Sequence, residues 1–269
     1  MLIAKDIRVS LGKSPILHGI SAEARPGEVT VIVGPNGSGK TTLLRALTGD
    51  VGFAGQVSLN GRDCAYLRPW ELAAVRGVLP QASALAFPFT VAEVVRLGLT
   101  AAPHAGRADL VPRALAAVDM AGFAPRLYQE LSGGQQARVQ LARVLVQVWN
   151  PVVDGVPCWL FLDEPVASLD IAHQLGVVRL MRDFAGRGGG VVTVLHDLNL
   201  TAMAADRVWL MDQGQLTGQG PMSEVLTDAA LERAYGCPLR VGRLPPAGCW
   251  FSLPQAAGAA ATAVTVAAG

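Results

Sequence analysis

The sequence predicts an α/β fold: a mostly parallel sheet covered by helices, with an all-helical segment inserted into it. Three observations carry that expectation. Short β-branched runs alternate with helical stretches; one strand-to-helix junction is a glycine-rich turn closed by Lys-Thr; and between residues 82 and 147 helical patterns follow one another with no strand between them. A chain of 269 residues is long enough for one such domain with its insertion.

Taken in order, residues 1–13 (MLIAKDIRVSLGK) alternate as a strand does and lack the layout of a signal peptide. Residues 29–33 (VTVIV) read as a buried strand of a parallel sheet, as do 159–162 (WLFL) and 191–195 (VVTVL). Helical stretches lie between and after them: 41–47 stopped by Gly49, 171–187 stopped by Gly188, and 198–205. Inside the insertion the helical patterns cover 91–99, 109–121 and 135–147. The expected division is a core of about 1–81 and 148–240, an insertion of about 82–147, and an extension of 241–269 whose alanine-rich tail from about 255 is poorly ordered. No internal repeat occurs, so the domain is single.

Composition narrows the function classes. Hydrophobic residues make up 51% and charged residues 16%, with a net charge of +1. That balance offers neither the basic surface that nucleic acid attracts nor a polybasic anchor for lipid. Cys64, Cys158, Cys237 and Cys249 are scattered, as in a reduced cytosolic protein. No uncharged apolar run reaches the roughly 18 residues of a membrane span, so work at a membrane requires a partner.

Gly34-Pro35-Asn36-Gly37-Ser38-Gly39-Lys40-Thr41 fits GxxxxGK[ST], and Thr42 continues the helix that it opens. Placed between a strand and a helix, such a loop cradles phosphates with backbone N–H groups and the helix dipole. Lys40 is expected to reach the β- and γ-phosphates of a nucleotide triphosphate, and Thr41 to ligate Mg²⁺. Asp163-Glu164 ends the second strand, where α/β sheets bind ligands. Asp163 is assigned to Mg²⁺ and Glu164 to the attacking water as general base. Alone, that pair also fits a solvated turn before Pro165.

With the stretch Leu131-Ser132-Gly133-Gly134-Gln135, and with Gln81, Ser168-Leu169-Asp170 and His196 in this order, residues 2–235 resemble the ATP-binding cassette (ABC) ATPases. The resemblance implies a P-loop NTPase-type core with an N-terminal antiparallel β part and the inserted α-helical subdomain. It further implies that Gln81 senses Mg²⁺ and the γ-phosphate. Ser132, Gly133 and Gly134, with Gln135, cap ATP held by a second copy of the chain; Asp170 lies at the seam; and His196 contacts the γ-phosphate and positions water. Read alone, Ser132-Gly133-Gly134 is also an ordinary helix cap, and His196 a packed or surface histidine.

Two positions depart from the family pattern. Leu11 stands where an aromatic usually stacks on adenine, which leaves base contact and selectivity in question, and Val166 stands where Thr is frequent, with little effect expected.

Residues 194–199 (VLHDLN) and 205–208 (ADRV) resemble importers of iron-siderophore complexes, cobalamin and haem. Three features resemble the haemin-import subunits within that group: 169–174 (LDIAHQ), 78–95, and a long stretch at 148–157 that also fits a neutral surface loop.

The implied function is the ATPase subunit of a bacterial haem importer: a head-to-tail dimer on the cytoplasmic face of the inner membrane, held by a polytopic permease. A periplasmic substrate-binding protein takes part indirectly, and nucleic acid takes none. Phe87, Phe89 and Val91 are the expected permease contacts, with core packing of the insertion as the other reading. The alternatives are a siderophore or cobalamin importer subunit and, more distantly, a soluble non-transport ABC protein.

Overall fold

The computed structural model describes residues 1–81, 87–100, 106–244, 249 and 252–256. The tail beyond 256 and the first residues of the insertion, 82–86, lie outside it.

The chain opens with β1 (Leu2–Leu11), β2 (Ser14–Ala24) and β3 (Val29–Val33), then α1 (Lys40–Leu47), β4 (Ala54–Leu59) and β5 (Arg62–Asp63). Next come α2 (Pro69–Ala73) and β6 (Arg76–Leu79), then the helices α3 (Val91–Leu97), α4 (Leu110–Ala117) and α5 (Gly133–Gln147). A small hairpin, β7 (Val152–Val153) and β8 (Val156–Pro157), precedes β9 (Trp159–Asp163), α6 (Ile171–Gly186), β10 (Gly190–Val194) and α7 (Leu198–Ala204). The last elements are β11 (Arg207–Asp212), β12 (Gln215–Pro221), α8 (Met222–Val225) and α9 (Asp228–Tyr235).

Two larger sheets form. One is antiparallel, in the order β2-β1-β4-β5; the other runs β12-β11-β3-β10-β9-β6, parallel except for the β11–β12 pair. Period-2 alternation sorts each parallel strand between two cores. In β3, Val29, Val31 and Val33 face one core and Ile32 the other. The Ile32 side, with Trp159, Phe161, Val192 and Trp209, packs on Leu43, Leu44 and Leu47 of α1 and on Leu2, Ile7 and Leu17 of the antiparallel sheet. The opposite side takes α6, α7 and the inserted helices. Helix α1 is therefore clamped between two sheets, which fixes the turn in front of it.

The insertion reaches the core through α5. It packs on α3 and α4 within the insertion and on β6 of the core. A Cβ on Gly77 would lie 2.8 Å from Val144 Cγ1, and Gln147 Nε2 donates to the carbonyls of Ala73 (3.0 Å) and Arg76 (2.9 Å). A boundary at 147 therefore cuts through contacts that belong to the core.

The stretch 148–157 folds into the hairpin β7–β8 because Asp154 (φ 50°) and Gly155 (φ 76°) occupy its two-residue turn. The hairpin is tied down by Asn60: Nδ2 donates to the Pro157 carbonyl at 2.8 Å, and Oδ1 accepts from the buried Trp159 indole at 3.0 Å. Asn60→Ala strands that indole N–H at a cost of about 1–3 kcal/mol. The melting temperature should fall by about 2–12 °C, a shift that circular dichroism would detect.

Candidate functional site

Strands β3, β10, β9 and β6 are consecutive neighbours in the parallel sheet. Their carboxyl ends therefore sit in a row, about 4.8 Å apart from strand to strand. The turn 34–39 follows β3, His196 follows β10, Asp163 and Glu164 end β9, and Gln81 follows β6. Four sequence-distant segments thus meet on one edge, where open α/β sheets take their ligands.

Lys40, the first residue of α1, is 5% exposed. Its Nζ donates to the carbonyls of Gly34 (2.9 Å) and Pro35 (2.8 Å), so it lies across the mouth of the turn. Burial draws its ammonium below the usual lysine range, and the nearby charges of Glu164 and Asp163 oppose that shift. Gly34 is obligatory: at φ 148°, a Cβ there would lie 2.1 Å from the Met211 carbonyl. Gly39, at φ 95°, is the N-cap that precedes α1. Asn36 and Gly37 are exposed at the tip of the turn, and Thr42 is half-buried in the first turn of α1. The buried Ser38 hydroxyl has no hydrogen-bond partner among the described residues, a polar atom that an incoming ligand would satisfy.

Thr41 Oγ1 donates to Asp163 Oδ1 at 3.1 Å, joining the turn to the acidic strand end. Burial raises the Asp163 carboxyl above the usual range; the Thr41 hydrogen bond pulls it back, and the neighbouring Glu164 charge adds to the rise. Glu164 holds a left-handed backbone, φ 51°. That geometry costs a non-glycine residue about 1–3 kcal/mol and concentrates at functional positions. Its Oε1 lies 2.6 Å from His196 Nε2, so the ring presents an N–H there and the carboxylate accepts.

Oxygen donors side by side, Thr41 Oγ1 and Asp163 Oδ1, suit a hard divalent cation such as Mg²⁺. Among the described residues no group of three or more His, Cys, Asp or Glu could enclose a metal. A cation here would need further oxygens from a ligand, the mode in which Mg²⁺ binds with phosphates.

Lys40, Thr41, Asp163, Glu164 and His196 are thus drawn together. Gln81 stands exposed at the end of β6 without a hydrogen bond to that group. Ser132, Gly133, Gly134 and Gln135 lie at the start of α5. Ser132 caps that helix, accepting from Gln135 N at 3.4 Å, while Gln135 Oε1 accepts from Ser132 N at 3.0 Å. Open space surrounds a Cβ placed on Gly133, whereas one on Gly134 would come within 2.8 Å of the Ser168 carbonyl. Asp170 caps α6 through His173 N at 3.0 Å, and this hydrogen bond holds its carboxyl below the usual range. Leu11 is 52% exposed at the end of β1.

One expectation is corrected. Val91 is 0% exposed, packed inside the insertion, and Phe89 is only partly exposed against the same core. The cause is the Thr90 cap, which turns the chain into α3 so that Val91, Val94 and Val95 face inward. Of the three expected contact residues only Phe87, 68% exposed, stands out at the surface. Sequence reasoning also passed over Asp119, Arg138 and His173, which meet beside Asp170.

Residues 17–167 match the ABC transporter family. The chain is 60% identical to the hemin import ATP-binding protein HmuV of Roseobacter denitrificans over 95% of its length and 98% of the relative. It is 58% identical to that of a Ruegeria species, with the same coverage. A solved structure of the ATP-binding subunit of an ABC transporter superposes with a TM-score of 0.73 at 20% identity, covering 88% of this chain and 94% of that one.

Proposed function

Because this chain belongs to the ABC transporter family, and within it to the hemin import ATP-binding proteins, we propose that it hydrolyses ATP to drive a haem importer. The observation that carries this reading is the Thr41–Asp163 hydrogen bond. It joins the phosphate-binding turn to the acidic strand end that also holds the Glu164–His196 pair.

The turn 34–39, Lys40, Thr41 and Thr42 hold the triphosphate by backbone N–H groups, the α1 dipole and the Lys40 charge. Thr41, Asp163 and Gln81 would hold Mg²⁺, which when bound offsets the charge of the β- and γ-phosphates. Glu164 accepts a proton from water as the water oxygen bonds to the γ-phosphorus. The bond from that phosphorus to the β,γ-bridging oxygen breaks, releasing ADP and inorganic phosphate. His196 fixes the direction in which Glu164 faces.

Ser132, Gly133, Gly134 and Gln135 serve ATP held by a second copy, with Asp170 at the seam. The open space over Gly133 leaves room for that nucleotide. Closure of the dimer moves the insertions, and Phe87 lies on the face that meets the permease. The subunit works on the cytoplasmic side of the membrane as a peripheral protein; among the described residues no helix is long and apolar enough to cross a membrane.

Reconstitution with its permease and substrate-binding protein in lipid vesicles tests the whole reading. ATP should drive hemin uptake in the wild type. Ser132→Arg should abolish uptake and cut hydrolysis at least about 10²-fold while sparing nucleotide binding by single copies. Uptake of cobalamin and not hemin would overturn the cargo; normal hydrolysis by Ser132→Arg would overturn the trans site.

A further inference from the structure

His173 belongs to the 169–174 stretch and has no role so far. It is the third residue of α6, and its ring lies between two carboxylates. Nδ1 is 2.7 Å from Asp170 Oδ1, and Nε2 is 3.5 Å from Asp119 Oδ2. Asp119 follows α4 in a left-handed conformation, φ 57°. Arg138 of α5 grips that bend: Nη1 donates to the carbonyls of Val118 (3.2 Å) and Asp119 (2.9 Å) and lies 3.6 Å from Asp119 Oδ2. An unbroken polar chain therefore runs from Asp170 through His173 and Asp119 to Arg138, which stands on the helix that Ser132 caps. A second, apposed contact joins the same two segments where Gly134 meets the Ser168 carbonyl.

We propose that His173 is a positioning residue: it ties the segment bearing Asp170 to the helix bearing Ser132, Gly133 and Gly134, so that both present to the second copy's nucleotide as one surface. This rests on the ATPase reading above. The requirement is geometric, because groups from two separate segments must be held within about half an ångström of their productive positions. His173 acts through its neighbours and touches no reacting atom. It therefore affects turnover by the closed dimer and leaves ATP capture at Lys40 alone.

Two replacements separate the ring's two contacts. An asparagine amide reaches the place of Nδ1 and keeps Asp170; a glutamine amide reaches the place of Nε2 and keeps Asp119. Steady-state ATP hydrolysis by the full-length protein with its permease should show kcat reduced about two- to fivefold in His173→Asn, the scale of an exposed charged contact, with KM for ATP unchanged. Asp119→Asn, a substitution at a surface residue that the fold tolerates, should do the same. The double variant should fall no further, and His173→Gln should recover most of the loss.

Additive losses in the double variant, a KM change as large as the kcat change, or wild-type kcat in His173→Asn would each overturn the proposal while leaving the ATPase reading in place. A wild type that hydrolyses no ATP would overturn both.

Discussion

Lys40→Ala should lower ATP turnover by about 10²–10³-fold, the scale of removing one fixed charge donor from a developing anion, and should weaken ATP binding as well. Lys40 is the cation placed among the backbone N–H groups of the turn, held there by the Gly34 and Pro35 carbonyls. It also offsets Asp163 and Glu164, whose charges act on it directly. Without it those two carboxylates face the triphosphate uncompensated, so capture and chemistry fail together. Titration calorimetry with ATP and phosphate release by the reconstituted complex would read the two losses. Normal turnover would remove Lys40 from the phosphate site.

Glu164→Gln should separate the same two properties. Turnover should fall by about 10²–10⁴-fold, the usual contribution of a positioned general base, while ATP binding survives. A glutamine has the same length, and its carbonyl oxygen can accept the His196 N–H that Glu164 Oε1 faces at 2.6 Å. The shape of the site is kept and only the proton acceptor is lost. ATP should then accumulate in a closed dimer, visible as an ATP-dependent shift in size-exclusion chromatography. Hydrolysis at the wild-type rate would mean that another group takes the proton.

The central strands were legible because burial on both faces leaves no choice of residue. Residues 29–33, 159–162 and 191–195 are β-branched or apolar throughout, and each emerged as a strand with ends shifted by one residue at most. The strand β11 has the same character in Val208-Trp209-Leu210-Met211, a four-residue apolar run between Asp206-Arg207 and Asp212-Gln213. The hairpin β7–β8 carried a usable signal in Asp154-Gly155, a pair suited to a two-residue turn, but strands of two residues each show no alternation.

For the site, the phosphate turn follows from local spacing alone, and the acidic pair, which by itself also fits a solvated turn, is assigned by its company with that turn. Their adjacency depends on strand order, which places β10 beside β3 and β9 next to β10 although both lie far along the chain. The Asp119–His173 contact has the same origin, set by helix packing across a sequence separation at which no pattern repeats. The inward turn of Val91 is local, set by the Thr90 cap.

The seat of Gln147 on the Ala73 and Arg76 carbonyls, and of Val144 against Gly77, bears on how such proteins exchange parts. A recombinant that takes residues 82–147 from a distant relative would join one parent's rod to the other parent's sheet edge, and two side chains would lose the sockets cut for them. The smallest block that carries its own foundation begins before β6, at about Ala73, so the strand that ends near Gln81 is inherited with the helix that begins at Ser132.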